Sequence, residues 1–175
     1  MNVRVKSVRP CLAMALFGLA VCGCGTDYRW RSSVPEELRT ITVPTFRNES
    51  DVPELGAVAT RQILREIQRE GTFKIRPGGE AALEVQGTVK SAVGALNAYN
   101  RRSGARVAAY RLEVKAVVSV IDKRRHAVLV DNRTYTASDD FTSGTDVTTA
   151  TRDASGRVAD DLARQVVDDL LKLKK

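Results

Sequence analysis

The sequence predicts an α+β fold in which two helices pack on one face of a mixed sheet with a long antiparallel meander, in the order β-α-β-β-β-β-α. Three observations carry this expectation. A short β-branched run leads into an amphipathic helix and a second short strand. Two long stretches then alternate apolar and polar residues between turn-rich segments. The chain closes on a second, longer apolar stripe at helical spacing. A helix between two strands makes them parallel through a right-handed crossover, whereas strands joined by short turns are antiparallel, so the sheet must be mixed.

The first strand is Leu38 to Val43, stopped by Pro44, and Phe46 to Asp51 reads as a loop. Pro53 suits the first turn of a helix, with Ser50 or Asp51 as caps and Gly71 as its end. Leu55, Val58, Ala59, Ile63 and Ile67 recur at spacings of three and four, with Arg61, Arg65, Gln68 and Arg69 on the other side. Thr72 to Arg76 is a short strand ended by Pro77-Gly78-Gly79, whose glycines suit a turn better than a phosphate loop, since neither GxxxxGK[ST] nor GxGxxG is present.

Leu83, Val85 and Val89 alternate with Glu84, Gln86, Thr88 and Lys90; Leu112, Val114, Ala116, Val118 and Val120 alternate with Arg111, Glu113, Lys115 and Ser119. Both are strands with one buried face. Asn97 to Arg106 and Asp122 to Arg125 read as the connecting turns, Ala127 to Thr136 as the last strand, and Ser138 to Thr149 as a polar loop. The closing helix runs from about Thr151 to Lys172, with Asp160–Arg164 and Asp168–Lys172 as acid-before-base pairs four residues apart.

Ahead of this domain, Arg4, Lys6 and Arg9 precede an apolar stretch from Cys11 to Val21, too short to span a membrane as a stable helix, which ends in Val21-Cys22-Gly23-Cys24. That order is an export signal closing on a cysteine. Lipoprotein processing requires a small residue before the modified cysteine; Gly23 supplies one for Cys24, whereas branched Val21 serves Cys22 poorly. No cysteine follows Cys24, so no disulfide framework employs it. The expected organisation is residues 1–23 as lipoprotein signal peptide, 24–37 as lipid-anchored tether and 38–175 as one domain. The net charge of +7 includes the three cations of the signal, leaving about +4 from Cys24 onward. Export makes nucleic acid an unsuitable partner.

Enzymatic constellations are hard to build from this composition, and no cofactor or metal is expected. His126 is the single histidine and stands in a turn beside Lys123, Arg124 and Arg125, a poor setting for a metal ligand. Asp139, Asp140 and Asp146 lack the spacing of a calcium loop and fit a solvated loop. Arg101, Arg102 and Arg106 form the one basic cluster with possible function. Guanidinium forks at a hairpin tip suit phosphate, and they equally suit a charged tip that blunts aggregation.

The sequence resembles the lipopolysaccharide-assembly lipoproteins, the LptE-like family, along nearly the whole chain after the signal. The likeness rests on Cys24-Gly25 with Tyr28 and Trp30, Ile41 to Asn48, Leu64-Arg65-Glu66-Ile67, Gly71 to Ile75, Leu83 to Val89, Ala109 to Leu112 and the amphipathic last helix. It implies an outer-membrane lipoprotein on the periplasmic face, anchored through acyl chains on Cys24. In that setting it would act as plug, assembly factor and glycolipid-binding subunit of a large β-barrel translocon for lipopolysaccharide. It also implies that Arg101 and Arg102, with Arg106 nearby, meet the phosphates of the glycolipid. Lipoproteins of the penicillin-binding-protein-activator and curli-secretion type share the βαβ opening and stand as the alternative.

Overall fold

A computed structural model describes residues 34–100, 107–143 and 146–173, and for 95–100, 107–108 and 143 only the backbone. Its strands are β1 (Thr40–Thr42), β2 (Arg47–Asn48), β3 (Lys74–Ile75), β4 (Leu83–Asn100), β5 (Val107–Asp122) and β6 (Ala127–Ser143). Its helices are α1 (Leu55–Glu70) and α2 (Val147–Leu171), and a single 3-10 turn spans Glu36–Leu38. The sheet order is β3-β1-β4-β5-β6, with β2 also pairing with β4. β1 runs parallel to β3 and β4, β2 parallel to β4, and β4-β5-β6 is an antiparallel meander. The predicted α+β architecture and element order are found, with one short strand, β2, added inside the expected 46–51 loop.

α1 forms where its apolar stripe demanded: Leu55, Ala59, Ile63 and Ile67 are buried, and each fully buried large aliphatic side chain contributes about 2 kcal/mol relative to exposure. Gly71 ends it at φ 80° with its N–H on the Ile67 carbonyl, a conformation that favours glycine. The start differs from expectation. Neither Ser50 nor Asp51 caps the helix; Glu54 occupies the N-cap in a left-handed conformation with no side-chain bond. Asn48 gathers the preceding turn instead, accepting from Ser50 N–H and donating to the Val52 carbonyl.

Phe46 locks the β1–β2 segment over β4. Its N–H donates to Thr60 Oγ1 at 2.9 Å, and the Thr60 hydroxyl donates to the Gly56 carbonyl. The Phe46 ring lies against Gly87 of β4, where an added Cβ would collide with three ring carbons, and the Phe46 carbonyl leaves equally little space at Gly56. These two glycines are present because a ring and a backbone pass where a side chain would stand.

α2 begins at Val147, four residues before the expected Thr151. Asp146 is its N-cap and accepts from the N–H groups of Thr148 and Thr149, a start obscured in the sequence by three threonines of modest helix propensity. Ala154, Val158, Leu162, Val166 and Leu170 are buried against the sheet and α1. Asp160 pairs with Arg164 as expected, but Lys172 reaches Asp169 and not Asp168.

Two predicted loops are in fact strand. β4 continues through Asn97–Asn100, and β6 continues from Ser138 to Ser143 because Tyr135, Ala137 and Phe141 keep facing inward on alternate positions. Val34, the first residue described, is already buried among core residues, and its carbonyl accepts from Arg39 Nε.

Candidate functional site

The long meander has two ends of different character. Chain entry, β1, β3 and the β5–β6 turn gather at one end: the Lys74 N–H donates to the Arg39 carbonyl, and the Lys123 N–H to the Ala82 carbonyl. Asp122, buried, accepts from the N–H groups of Arg124 and Arg125 and shapes the turn, in which His126 sits at φ 52°. The other end is reached by following β4 for 18 residues, about 55 Å at the rise of an extended strand. There Asn100 pairs with Val107, and Arg101, Arg102 and Arg106 fall between them in sequence. These arginines lie outside the described residues, as do Cys24 and Cys22.

The face of the sheet turned away from the helices is mostly polar among the described side chains, with Val93 and Val117 as apolar exceptions. Glu84, Gln86 and Thr88 of β4 lie beside Ser119 and Val117 of β5, and with Thr45 and Asn132 they line a shallow groove of about 410 Å³. Its rim is charged: Lys90 Nζ lies 3.0 Å from Glu49, and Lys123 lies 3.2 Å from Glu84. The bonds from Lys90 to Glu49 and from Gln86 to Glu84 hold both carboxyls below the usual carboxylate range against the opposing cost of burial. Such a wall of paired charges, hydroxyls and amides offers hydrogen bonds to a polar partner.

Further along the same face, Arg111 and Asp140 form a two-pronged pair across β5 and β6, Nε to Oδ1 at 2.7 Å and Nη2 to Oδ2 at 2.8 Å. The Arg111 bond lowers the Asp140 pKa, and Asp140 raises that of Arg111. Asp139 turns to the opposite face and accepts from Arg157 of α2 at 2.7 Å. With Asp146 capping α2, the three aspartates weighed as a cation site point to three separate partners. Among the described residues no group of three or more histidine, cysteine or acidic side chains is placed to hold a metal.

Sequence reasoning missed the Arg111–Asp140 and Arg157–Asp139 pairs because it ended the last strand at Thr136. It also missed the link on the helix side, where Asp169 accepts from Tyr135 Oη at 3.0 Å and pairs with Arg133 and Lys172. Partial burial opposes ionisation of Asp169, but the bonds from Lys172 and Tyr135 and the Arg133 charge outweigh it and leave the pKa lowered. Desolvation first, then the Asp169 contact, raises the Tyr135 phenol well above its ordinary range.

A family model described as LptE, lipopolysaccharide-assembly, matches residues 38–170. No curated protein sequence matches the chain significantly. Solved structures are similar at low identity, and two of them, with TM-scores of 0.55 and 0.50, show the same fold. CT253 from Chlamydia trachomatis is 12% identical with a TM-score of 0.55, covering 77% of this chain and 96% of that one. XCC0632 from Xanthomonas campestris is 12% identical with a TM-score of 0.50, covering 80% and 90%. A minor lipoprotein from Acinetobacter baumannii is 14% identical with a TM-score of 0.47, covering 77% and 94%. No helix among the described residues is long and apolar enough to cross a membrane.

Proposed function

The chain belongs to the LptE family of lipopolysaccharide assembly, and from that premise we propose that it is the lipid-anchored, periplasmic-facing subunit of an outer-membrane β-barrel translocon for lipopolysaccharide. In this reading residues 1–23 are removed as signal, Cys24 carries the acyl chains, and residues 24–37 tether the domain 38–175 to the membrane. Several acyl chains on one cysteine anchor a domain of this size stably, since each buried CH₂ contributes about 0.8 kcal/mol. The protein acts by binding: it plugs and helps assemble the barrel and contacts the glycolipid. The observation that carries the reading is the family match across nearly the whole described domain.

The geometry supports a division of labour. Val34 packs at the β1 end of the sheet, while the connection holding Arg101, Arg102 and Arg106 follows the far end of β4. A cluster of guanidinium forks in the connection that follows this long strand suits the phosphates of a glycolipid within the translocon. The polar open face of the sheet suits the hydrophilic interior wall of a barrel. Detergent-solubilised envelopes test this: the full chain should co-purify with a large β-barrel protein, and Cys24→Ala should abolish acyl labelling. Recovery of a peptidoglycan synthase in place of a barrel, or loss of labelling with Cys22→Ala alone, overturns the corresponding part.

A further inference from the structure

Many charged side chains of this domain are paired. Arg111 meets Asp140, Arg157 meets Asp139, Arg164 meets Asp160, and Lys172 meets Asp169. A groove of about 380 Å³ between the N-terminal parts of α1 and α2 is different. Arg61 and Arg152 line it together with Asp51 and Glu54, and among the described residues none of these four side chains has a hydrogen-bond or ion-pair partner. Glu54 stands at the N-cap of α1 and still makes no side-chain bond to the helix it precedes. Two charges of each sign thus share one groove without neutralising one another.

Between these charges the groove is apolar. Val52, Pro53 and Val58 line it from α1 and the turn before it, and Val147 lines it from α2. Val147 is 44% exposed, one of the few large apolar side chains left in solvent among the described residues. Small-ligand sites commonly have volumes of about 300–1,000 Å³ and combine an apolar lining with a few placed polar groups, and this groove has both properties. A ligand that fits carries an anion, a cation and an apolar chain close together. A purely anionic amphiphile would face the carboxylates of Asp51 and Glu54, and a purely cationic one would face the two arginines.

We propose that this groove binds a zwitterionic phospholipid with a primary ammonium, phosphatidylethanolamine. Its phosphate meets Arg61 and Arg152, its ammonium meets Asp51 and Glu54, and the start of an acyl chain lies over Val52, Val58 and Val147. Guanidinium forks take phosphate oxygens two at a time, and the three donors of an ammonium suit two carboxylates. Apolar walls on both sides exclude water from these contacts and weaken its screening of them. Such a lipid is supplied by the membrane that an acylated Cys24 enters, a setting taken from the proposed function. Neither the arginines of the 101–106 connection nor the glycolipid has a part in it.

The test is isothermal titration of the full mature chain, in a neutral maltoside detergent, with dihexanoyl phosphatidylethanolamine as the probe. The wild type should bind it about tenfold or more tighter than dihexanoyl phosphatidylglycerol, which keeps the phosphate and lacks the ammonium. That comparison needs no variant. Arg61→Glu with Arg152→Glu should weaken binding of the ethanolamine lipid by about tenfold or more, and Asp51→Lys with Glu54→Lys should do the same. Arg69→Glu, at the other end of α1, should leave it unchanged. Excess lipopolysaccharide should not displace the probe, which separates this groove from the glycolipid contact. Absence of binding, equal affinity for the two lipids, indifference to either charge-reversed pair, an equal loss with Arg69→Glu, or displacement by lipopolysaccharide overturns the proposal. The titration requires neither barrel nor acyl chain, so its failure leaves the proposed function standing, and failure of the barrel to co-purify leaves the groove's result standing.

Discussion

β4 is two strands of different kind joined end to end. From Leu83 to Val89 it is central, with β1 and β2 on one side, β5 on the other and the Phe46 ring against Gly87. From Ser91 to Asn100 it has one strand neighbour among the described residues, β5, and an exposed valine. Irregular pairing between Val89 and Ser91 marks the junction. The lower part carries its stability in side-chain burial, whereas the upper part is held by backbone bonds to β5 and keeps a surface open. Stability and availability for binding are thus separated along one strand.

The largest effect that would break this contrast comes from its two glycines. Gly87→Val should cost about 3 kcal/mol, since the new side chain meets the Phe46 ring and the core must shift. Gly94→Val, with nothing near its Cβ position, should change stability by less than about 0.5 kcal/mol in either direction. Chemical denaturation of both variants measures the difference; equal costs would mean that the strand is uniformly packed and the division wrong.

Below that in size is Asp169, which ties β6 to α2 in the covered part of the sheet. Asp169→Asn should cost about 2 kcal/mol at neutral pH, the worth of hydrogen bonds to a charged group. Because the folded carboxyl has a lowered pKa, its contribution is present above the ordinary carboxylate value of about 4 and is lost as pH falls through the lowered folded value. Unfolding curves of wild type and variant should therefore converge in acid. A difference that persists at pH 2 would assign the effect to packing and not to charge.

The smallest expected effect is on the open face. Arg111→Gln removes a two-pronged pair whose members are both about half exposed, so water and salt already screen it. Its thermal midpoint should match the wild type at high salt and fall slightly below it at low salt. A large loss independent of salt would show that the open face contributes to the fold as the helix-covered face does.

The same contrast explains what could be read in the amino acids. Up to Val89 each residue of β4 announces its side, because Leu83, Val85 and Val89 alternate with polar neighbours in strict period two. Beyond it the register shifts at Val89/Ser91 and again at Leu96/Ala98, so the inward positions change parity, and small uncharged residues blur what pattern remains. Asn97 to Asn100 consequently read as turn although they are strand. The end of β6 was hidden for a related reason. Ser138, Asp139 and Asp140 look like loop residues until Arg111 and Arg157 are seen to neutralise the aspartates on opposite faces. α1, by contrast, was legible from its stripe and Gly71, since both act locally.

The central claim is that the region after the open end of β4 meets the glycolipid while the rest of the surface does not. Binding of purified lipopolysaccharide to the full chain tests it directly when two charge-reversed pairs are compared. One is Arg101→Glu with Arg102→Glu. The other is Arg61→Glu with Arg152→Glu, two arginines lining a separate groove between α1 and α2. The account predicts at least tenfold weaker binding for the first pair, about 1.4 kcal/mol or more, and unchanged binding for the second. Equal losses, or none for the first pair, would contradict it.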